Sequence, residues 1–165
     1  MIERLLIANR GEIACRILRT CRRLGIAAVT VFSEADRGAL WVEQADQAFL
    51  LGGAPASESY LVASKILEVA RRSHCDAIHP GFGFLAENAD FAQAVEDAGL
   101  IWVGPQPQAM RTLADKGAAK ALAASLGIPV LQGFVIADQE PEEVRQQVLA
   151  LGFPLMVKAA AGGGG

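Results

Sequence analysis

Short apolar runs alternate with amphipathic stretches along most of the chain. Leu5-Leu6-Ile7-Ala8 stops at Asn9-Arg10-Gly11-Glu12, after which Ile13, Ile17, Leu18, Cys21 and Leu24 recur at helical spacing and Gly25 closes the helix. Ala27 to Phe32 is a second run, ending in Ser33-Glu34-Ala35-Asp36-Arg37. A short helical pattern over Leu40 to Ala45 precedes a third, Ala48-Phe49-Leu50-Leu51. Beyond the loop Gly52-Gly53-Ala54-Pro55, Ser57 or Ser59 is placed to cap a helix that turns Leu61, Ile66, Leu67 and Ala70 inward. Asp76-Ala77-Ile78 is a fourth strand, and Phe91, Val95 and Ala98 mark a helix stopped by Gly99. Leu100 to Val103 is a fifth strand, ended by Gly104-Pro105.

Continuous apolar strands separated by amphipathic helices are what a parallel sheet covered on both faces requires. With right-handed crossovers the pattern predicts an α/β, Rossmann-like doubly wound parallel sheet over residues 1–112. The texture changes after Pro107. An alanine-rich helix is predicted from Asp115 to Gly127, a strand over Val130 to Ile136, and a helix opening on Asp138, Glu140, Pro141, Glu142 and Glu143 and running to Gly152. Leu155-Met156-Val157, entered through Pro154, reads as a buried closing strand. This block, residues 113–165, is too small for a complete second domain.

The closing strand delivers Lys158 and then dissolves into Ala159-Ala160-Ala161-Gly162-Gly163-Gly164-Gly165. A cation at a strand end followed by a bare-backbone loop suits a polyphosphate; a flexible linker is the alternative. It is not a P-loop, because no Gly-Lys-Ser/Thr follows. The glycine run stops where such a loop would continue, so the chain is expected to be a piece of a longer protein. Lys116 sits in the first turn of its helix, where a cation opposes the macrodipole, with Gly117 next and Lys120 adding a like charge at i+4. Three local rules broken together mark a candidate functional lysine, against a solvated surface residue.

His79-Pro80-Gly81-Phe82-Gly83 follows the fourth strand, on the edge where open α/β sheets bind ligands. His79 is either a catalytic or a hydrogen-bonded structural histidine. Glu87 and Asn88 suit the start of the next helix. The first strand–helix turn carries one glycine, Gly11, where a dinucleotide fingerprint needs three, which argues against NAD or FAD although Glu34 falls at the ribose-binding distance. Arg16, Arg19 and Arg23 share one helix face, either solvated or a subunit contact.

Composition changes this picture little. The 165 residues are 52% hydrophobic and 20% charged, with a net charge of −3, so nothing points to nucleic acid or an acidic membrane surface. No apolar run is long enough to span a bilayer. The immediate entry into a strand leaves no room for a signal or transit peptide, and a cytoplasmic location is expected. Cys15, Cys21 and Cys75 lack CxxC spacing and read as reduced structural thiols, and the presence of only two histidines, His74 and His79, argues against a His-based zinc site.

Ile7-Ala-Asn-Arg-Gly-Glu-Ile-Ala14, Ser33-Glu-Ala-Asp-Arg37, His79-Pro-Gly-Phe-Gly-Phe-Leu-Ala-Glu-Asn88, Asp115-Lys116 and Val157-Lys-Ala-Ala-Ala-Gly-Gly-Gly-Gly165 occur in this order. Together they resemble the N-terminal part of biotin carboxylase, the ATP-grasp component of biotin-dependent acyl-CoA carboxylases. The resemblance covers the whole chain. It implies a pre-ATP-grasp domain followed by the beginning of an ATP-grasp domain cut in its glycine-rich loop. It also implies a ligase that makes carboxyphosphate from bicarbonate, ATP and Mg²⁺ and carboxylates biotin on a carrier domain, working with a carboxyltransferase subunit. By that resemblance Lys116 and Lys158 bind ATP phosphates and Gly162, Gly163, Gly164 and Gly165 begin the loop that closes over them. His79, Phe82, Gly83, Glu87 and Asn88 would border the biotin and bicarbonate pocket, with Phe82 standing where many members have Tyr. A homodimer is implied through the N-terminal domain, with Arg16 and Arg19 as contacts; Arg23 departs from the acidic residue of some relatives. The family's metal-binding glutamates, catalytic base and biotin-pocket arginine belong to sequence beyond Gly165, and no Met-Lys-Met attachment motif is present. These 165 residues therefore hold no catalytic or metal-binding residue of the family and are expected to be inactive alone. The Ser-Glu-Ala-Asp-Arg wording leans toward α-subunits of the methylcrotonyl- or geranyl-CoA kind. A non-catalytic nucleotide-binding or docking module, or another ATP-grasp ligase, are the other readings.

Overall fold

The computed structural model describes residues 1–136 and 138–158. The chain divides into two compact units, Met1–Met110 and Arg111–Gly165.

In the first unit the elements run β1 (Arg4–Ile7), α1 (Gly11–Leu24), β2 (Ala27–Ser33), α2 (Leu40–Gln44), β3 (Gln47–Gly52), α3 (Ala63–Arg72), β4 (Ala77–His79), α4 (Ala89–Asp97) and β5 (Ile101–Trp102). The strands form one sheet in the order β3-β2-β1-β4-β5, and every pairing is parallel. This is a doubly wound parallel sheet, the class that the alternation of runs predicts. β1 pairs β2 with Leu6 opposite Val29, and pairs β4 with Ile7 opposite His79. The connection from β3 to β4 crosses over β1, so the strand order reverses between β1 and β4. The crevice at the carboxyl ends of two such strands is where open α/β sheets hold ligands.

The central strands are largely apolar because they are buried on both sides, whereas the edge strands β3 and β5 keep exposed residues such as Gln47, Leu50 and Ile101. Leu6, Ala8, Val29, Val31, Leu51, Ile78 and Trp102 point to one face, under Ile66, Val69 and Ala70 of α3 and Phe91, Ala92 and Val95 of α4. Leu5, Ile7, Ala28 and Ala77 point to the other, under Ala14, Cys15, Ile17, Leu18 and Cys21 of α1 and Trp41 of α2. Residues of successive parity on β1 thus serve different cores, as the period of two demands. All three cysteines are free and buried, and burial raises the thiols of Cys21 and Cys75.

The third helix differs from expectation. Neither Ser57 nor Ser59 caps it: α3 begins only at Ala63 behind Val62, which gives no side-chain cap. Ala56–Glu58 form a separate 3-10 turn, and the Ser59 hydroxyl is spent on the Pro55 carbonyl, at 2.8 Å. Leu61 precedes the helix and is exposed. Ile66, Leu67 and Ala70 do pack inward.

A further helix, α5 (Pro107–Ala114), was not legible as one; Pro107 opens it and Met110 packs against the first core. The second unit holds α6 (Lys116–Ser125) and α7 (Pro141–Leu151). Its two expected strands are not formed: Val130 to Ile136 and Leu155 to Val157 carry no ladder. A strand exists only beside a partner that satisfies its N–H and C=O groups, and among the described residues of this unit none pairs with either segment. Leu131 and Val157, 89% and 86% exposed, have no second layer to cover them.

Candidate functional site

The carboxyl edge of the sheet at β1 and β4 is built by side chains that reach across from one loop to the other. Asn9, two residues beyond the end of β1, is 3% exposed. Its amide Nδ2 donates to the carbonyls of Pro80, at 2.6 Å, and Phe82, at 2.9 Å, while its Oδ1 accepts from the Arg10 N–H. One buried asparagine therefore fastens the β4–α4 loop to the end of β1. Gly81 makes this approach possible: it sits at φ +71, and a Cβ there would lie 2.8 Å from the Asn9 Nδ2.

His79, the last residue of β4, accepts the Gly81 N–H on Nδ1 at 3.0 Å. A ring nitrogen that accepts carries no proton, so the imidazole proton lies on Nε2. Burial lowers the His79 pKa, which agrees with a neutral ring. Asn88 caps α4, its Oδ1 accepting from the Phe91 N–H at 2.8 Å. Between these fixed ends Phe82 is 82% exposed, with Gly83 and Glu87 also on the surface.

A second set of residues meets the same loop. Tyr60 is fully buried, and its ring stacks on Phe84 with centroids 5.1 Å apart and 4° between planes. The Arg10 guanidinium carbon lies 5.5 and 5.4 Å from the two ring centroids. Asp36, beyond the end of β2, accepts on Oδ2 from the Tyr60 hydroxyl at 2.6 Å and from the Ser33 hydroxyl at 2.7 Å, with Arg10 Nη1 at 3.8 Å. Burial would raise the Asp36 carboxyl, yet the Tyr60 and Ser33 hydrogen bonds and the Arg10 charge outweigh it and hold the group below its ordinary value. Burial, together with the same hydrogen bond to Asp36, pushes the Tyr60 phenol up.

The structure gathers His79, Phe82, Gly83, Glu87 and Asn88 on one loop. It also brings Asn9, Arg10, Asp36 and Tyr60 to that loop, against its own Phe84; sequence reasoning did not single out these five as site residues. Asn9, Arg10 and Asp36 could have been found as polar residues directly after apolar runs, since parallel strands put such ends on one edge. Tyr60 and Phe84 carried no periodic signal. Arg16 and Arg19 are exposed on α1, where the Arg16 Nη1 donates to the Thr20 hydroxyl at 2.9 Å. Arg16 also rims a groove of about 220 Å³ lined by Ile17, Leu24 and Val103.

In the second unit Asp115 caps α6, accepting the Ala118 N–H at 2.7 Å. Its carboxylate places a negative charge at the helix end where Lys116 is unfavourable. Gly117 leaves it room, since a Cβ there would stand 3.2 Å from the Asp115 Oδ1. Lys158 is exposed at the close of the described residues. Gly162, Gly163, Gly164 and Gly165 lie outside the described residues. Among the described residues no group of three His, Cys, Asp or Glu side chains is placed to hold a metal ion.

Residues 1–110 match the family model for the biotin carboxylase N-terminal domain. The chain belongs to that family. Residues 115–165 match the model for the ATP-binding domain of the carbamoyl-phosphate synthase L chain, so the second unit is the beginning of an ATP-grasp domain. The mitochondrial methylcrotonoyl-CoA carboxylase α-subunit of Oryza sativa is 50% identical over 99% of this chain and 22% of its own length. Biotin carboxylase of Halalkalibacterium halodurans is 48% identical over the whole chain and 36% of its own. A crystal structure of the biotin carboxylase domain dimer of Hydrogenobacter thermophilus 2-oxoglutarate carboxylase, with MgADP, ADP and bicarbonate, superposes with a TM-score of 0.90. It is 38% identical, over 99% of this chain and 36% of that one. The chain therefore spans about a fifth to a third of the length of these relatives. It corresponds to the N-terminal region of biotin carboxylase, and no helix among its described residues is long and apolar enough to cross a membrane.

Proposed function

We propose that this chain is the N-terminal part of the biotin carboxylase component of a biotin-dependent acyl-CoA carboxylase. The full protein would be a ligase that uses ATP, Mg²⁺ and bicarbonate to form carboxyphosphate and carboxylates biotin on a carrier domain. A carboxyltransferase subunit would then pass the carboxyl group to the acyl-CoA. The observation that carries this reading is the coincidence of the two family matches with a built loop at the point where the strand order reverses.

Each group of residues has a task its surroundings suit. Lys116 and Lys158 would neutralise ATP phosphates, which charge-assisted hydrogen bonds from ammonium groups do well. Gly162 to Gly165 would begin the loop that closes over them. ATP fits these cations. Mg²⁺, when bound, would supply further neutralisation of the phosphate charge beside the two lysines. The His79–Asn88 loop would border the biotin and bicarbonate pocket, with Phe82 offering an exposed ring and His79 a neutral imidazole. Arg16 and Arg19 on α1 would meet a second subunit, beside the apolar groove that Arg16 rims. Residues 1–112 would form the pre-ATP-grasp domain and residues 113–165 the opening of the next. Several relatives are mitochondrial by name and others bacterial; a cytoplasmic location is the reading for this chain.

The test is biotin-dependent ATP cleavage by the full-length protein with bicarbonate and Mg²⁺. Turnover that needs both biotin and bicarbonate supports the reading. ATP cleavage indifferent to biotin but driven by another carboxylate or amine would assign another ATP-grasp ligase. The acyl-CoA is identified by which thioester, methylcrotonyl-CoA among them, accepts labelled carboxyl from the assembled complex.

A further inference from the structure

Phe84 holds a backbone φ of +47 inside the β4–α4 loop, a region that side chains larger than those of glycine and asparagine adopt at a cost. Such a residue persists only where its surroundings over-determine it. Here they do so from three separate segments. Tyr60 supplies the ring on which Phe84 stacks, and Arg10, from the β1–α1 turn, lays its guanidinium beside both rings. Asp36, from the turn after β2, anchors the assembly: its Oδ2 accepts from the Tyr60 hydroxyl and lies 3.8 Å from the Arg10 guanidinium. Ser33 fixes the carboxylate through its hydroxyl and fixes the tyrosine by donating its N–H to the phenol oxygen, at 3.1 Å.

The consequence lies at Gly83 and Phe82. The Phe82 carbonyl is pinned by Asn9 on one side of Gly83, and the Phe84 ring is pinned by Tyr60 on the other. Gly83, at φ +72, has open space where a Cβ would stand, and its carbonyl accepts the Ala86 N–H at 2.9 Å, closing the turn between the two anchors. Where the exposed Phe82 ring stands is therefore set by two anchors outside the loop.

We propose that Asp36 and Tyr60 are positioning residues for the β4–α4 loop, acting through Arg10 and Phe84 to fix where Phe82 stands. Their role in the reaction rests on the reading of that loop as a border of the biotin and bicarbonate pocket. Asp36→Asn removes the counter-charge of Arg10 and leaves a single neutral oxygen in place of the carboxylate that accepts from both the Tyr60 and Ser33 hydroxyls. A Tyr60→Phe change is milder, since it keeps the stack and loses only the hydroxyl.

The experiment uses the full-length carboxylase and two readouts. Hydrogen exchange of peptides covering residues 80–88 reads the loop directly; steady-state kinetics with free biotin read the pocket. Asp36→Asn and Phe84→Leu should each speed loop exchange about tenfold and lower kcat/KM for biotin about tenfold, with the KM for ATP within about twofold of wild type. Phe84→Tyr, which keeps the ring, should restore both. The double variant Asp36→Asn/Phe84→Leu should lose no more than the worse single, because both act through one stack. Unchanged loop exchange in Asp36→Asn and Tyr60→Phe overturns the proposal. So does a double variant whose losses multiply, or an ATP KM that moves in step with biotin, the mark of general destabilisation. Faster loop exchange with biotin kinetics unchanged upholds the positioning role and removes the loop from the pocket instead.

Discussion

At the scale of single residues, charge state follows from what surrounds each group. Burial lowers the His79 pKa, and its Nδ1 is already used as an acceptor for the Gly81 N–H. A folded value below the unfolded one means that the unfolded chain binds the extra proton first. The stability due to neutral His79 is thus fully present above its ordinary value of 6.5 and is lost as pH falls through the lower folded value. Thermal unfolding followed from pH 8 downward should show a decline beginning near 6.5 that His79→Gln flattens. An identical decline in the variant would assign the effect to other groups. The two lysines carry a different expectation. On the role proposed for them, Lys116→Ala or Lys158→Ala in the full-length protein would remove a cation from a phosphate, at a loss of about 1.5–3 kcal/mol. That corresponds to roughly tenfold or more in ATP KM or turnover. Unchanged ATP kinetics in both variants would take the phosphates away from them.

At the scale of elements, the loop after β4 shows what a sequence can disclose and what it cannot. Its position on the ligand-binding edge was legible, because an apolar run ending in His-Pro-Gly-Phe-Gly can only be a strand leading into a tight turn. The helix start at Asn88 was legible for the same local reason. What holds the loop was not: Asn9 and Tyr60 are 71 and 24 positions from their partners Pro80 and Asp36, and no periodicity links them. Gly81→Ala tests the tightest of these contacts. It adds a Cβ at positive φ and 2.8 Å from the Asn9 amide. A loss of about 1–3 kcal/mol is expected, seen in the denaturant midpoint with an unchanged slope. Gly83→Ala, at similar φ but with open space, isolates the conformational part and should cost less. Equal losses would show that the Asn9 contact is unimportant. The face of α1 bears on assembly. Arg19→Glu should weaken the dimer proposed for the full-length protein in sedimentation, and a variant that sediments as wild type would leave this face to solvent.

At the scale of the whole molecule, the two units differ in how far local pattern determined structure. Five parallel strands close a two-sided core within the first unit, so each apolar run found its partner and the predicted sheet formed. Val130 to Ile136 and Leu155 to Val157 have equally strand-like sequences, yet pattern specifies a strand only where a neighbouring strand exists to receive it. This contrast sets the expectation for a polypeptide of these 165 residues alone. Its first unit should unfold cooperatively, as a domain with its own core does. The second should exchange its amide hydrogens early, because Leu131, Met156 and Val157 are exposed rather than packed. Phosphoryl transfer requires bridging metal, a positioned nucleophile and several cations acting together. The two lysines proposed to meet phosphates could neutralise charge without aligning bicarbonate for attack, so ATP should bind weakly and turnover should be absent. The measurement is biotin-dependent ATP cleavage with bicarbonate and Mg²⁺ at high polypeptide concentration, beside a calorimetric scan. A cooperative transition without turnover is expected. Turnover comparable with a complete carboxylase would mean that residues within these 165 perform the chemistry, and the roles proposed for the lysines and the β4–α4 loop would have to be reassigned.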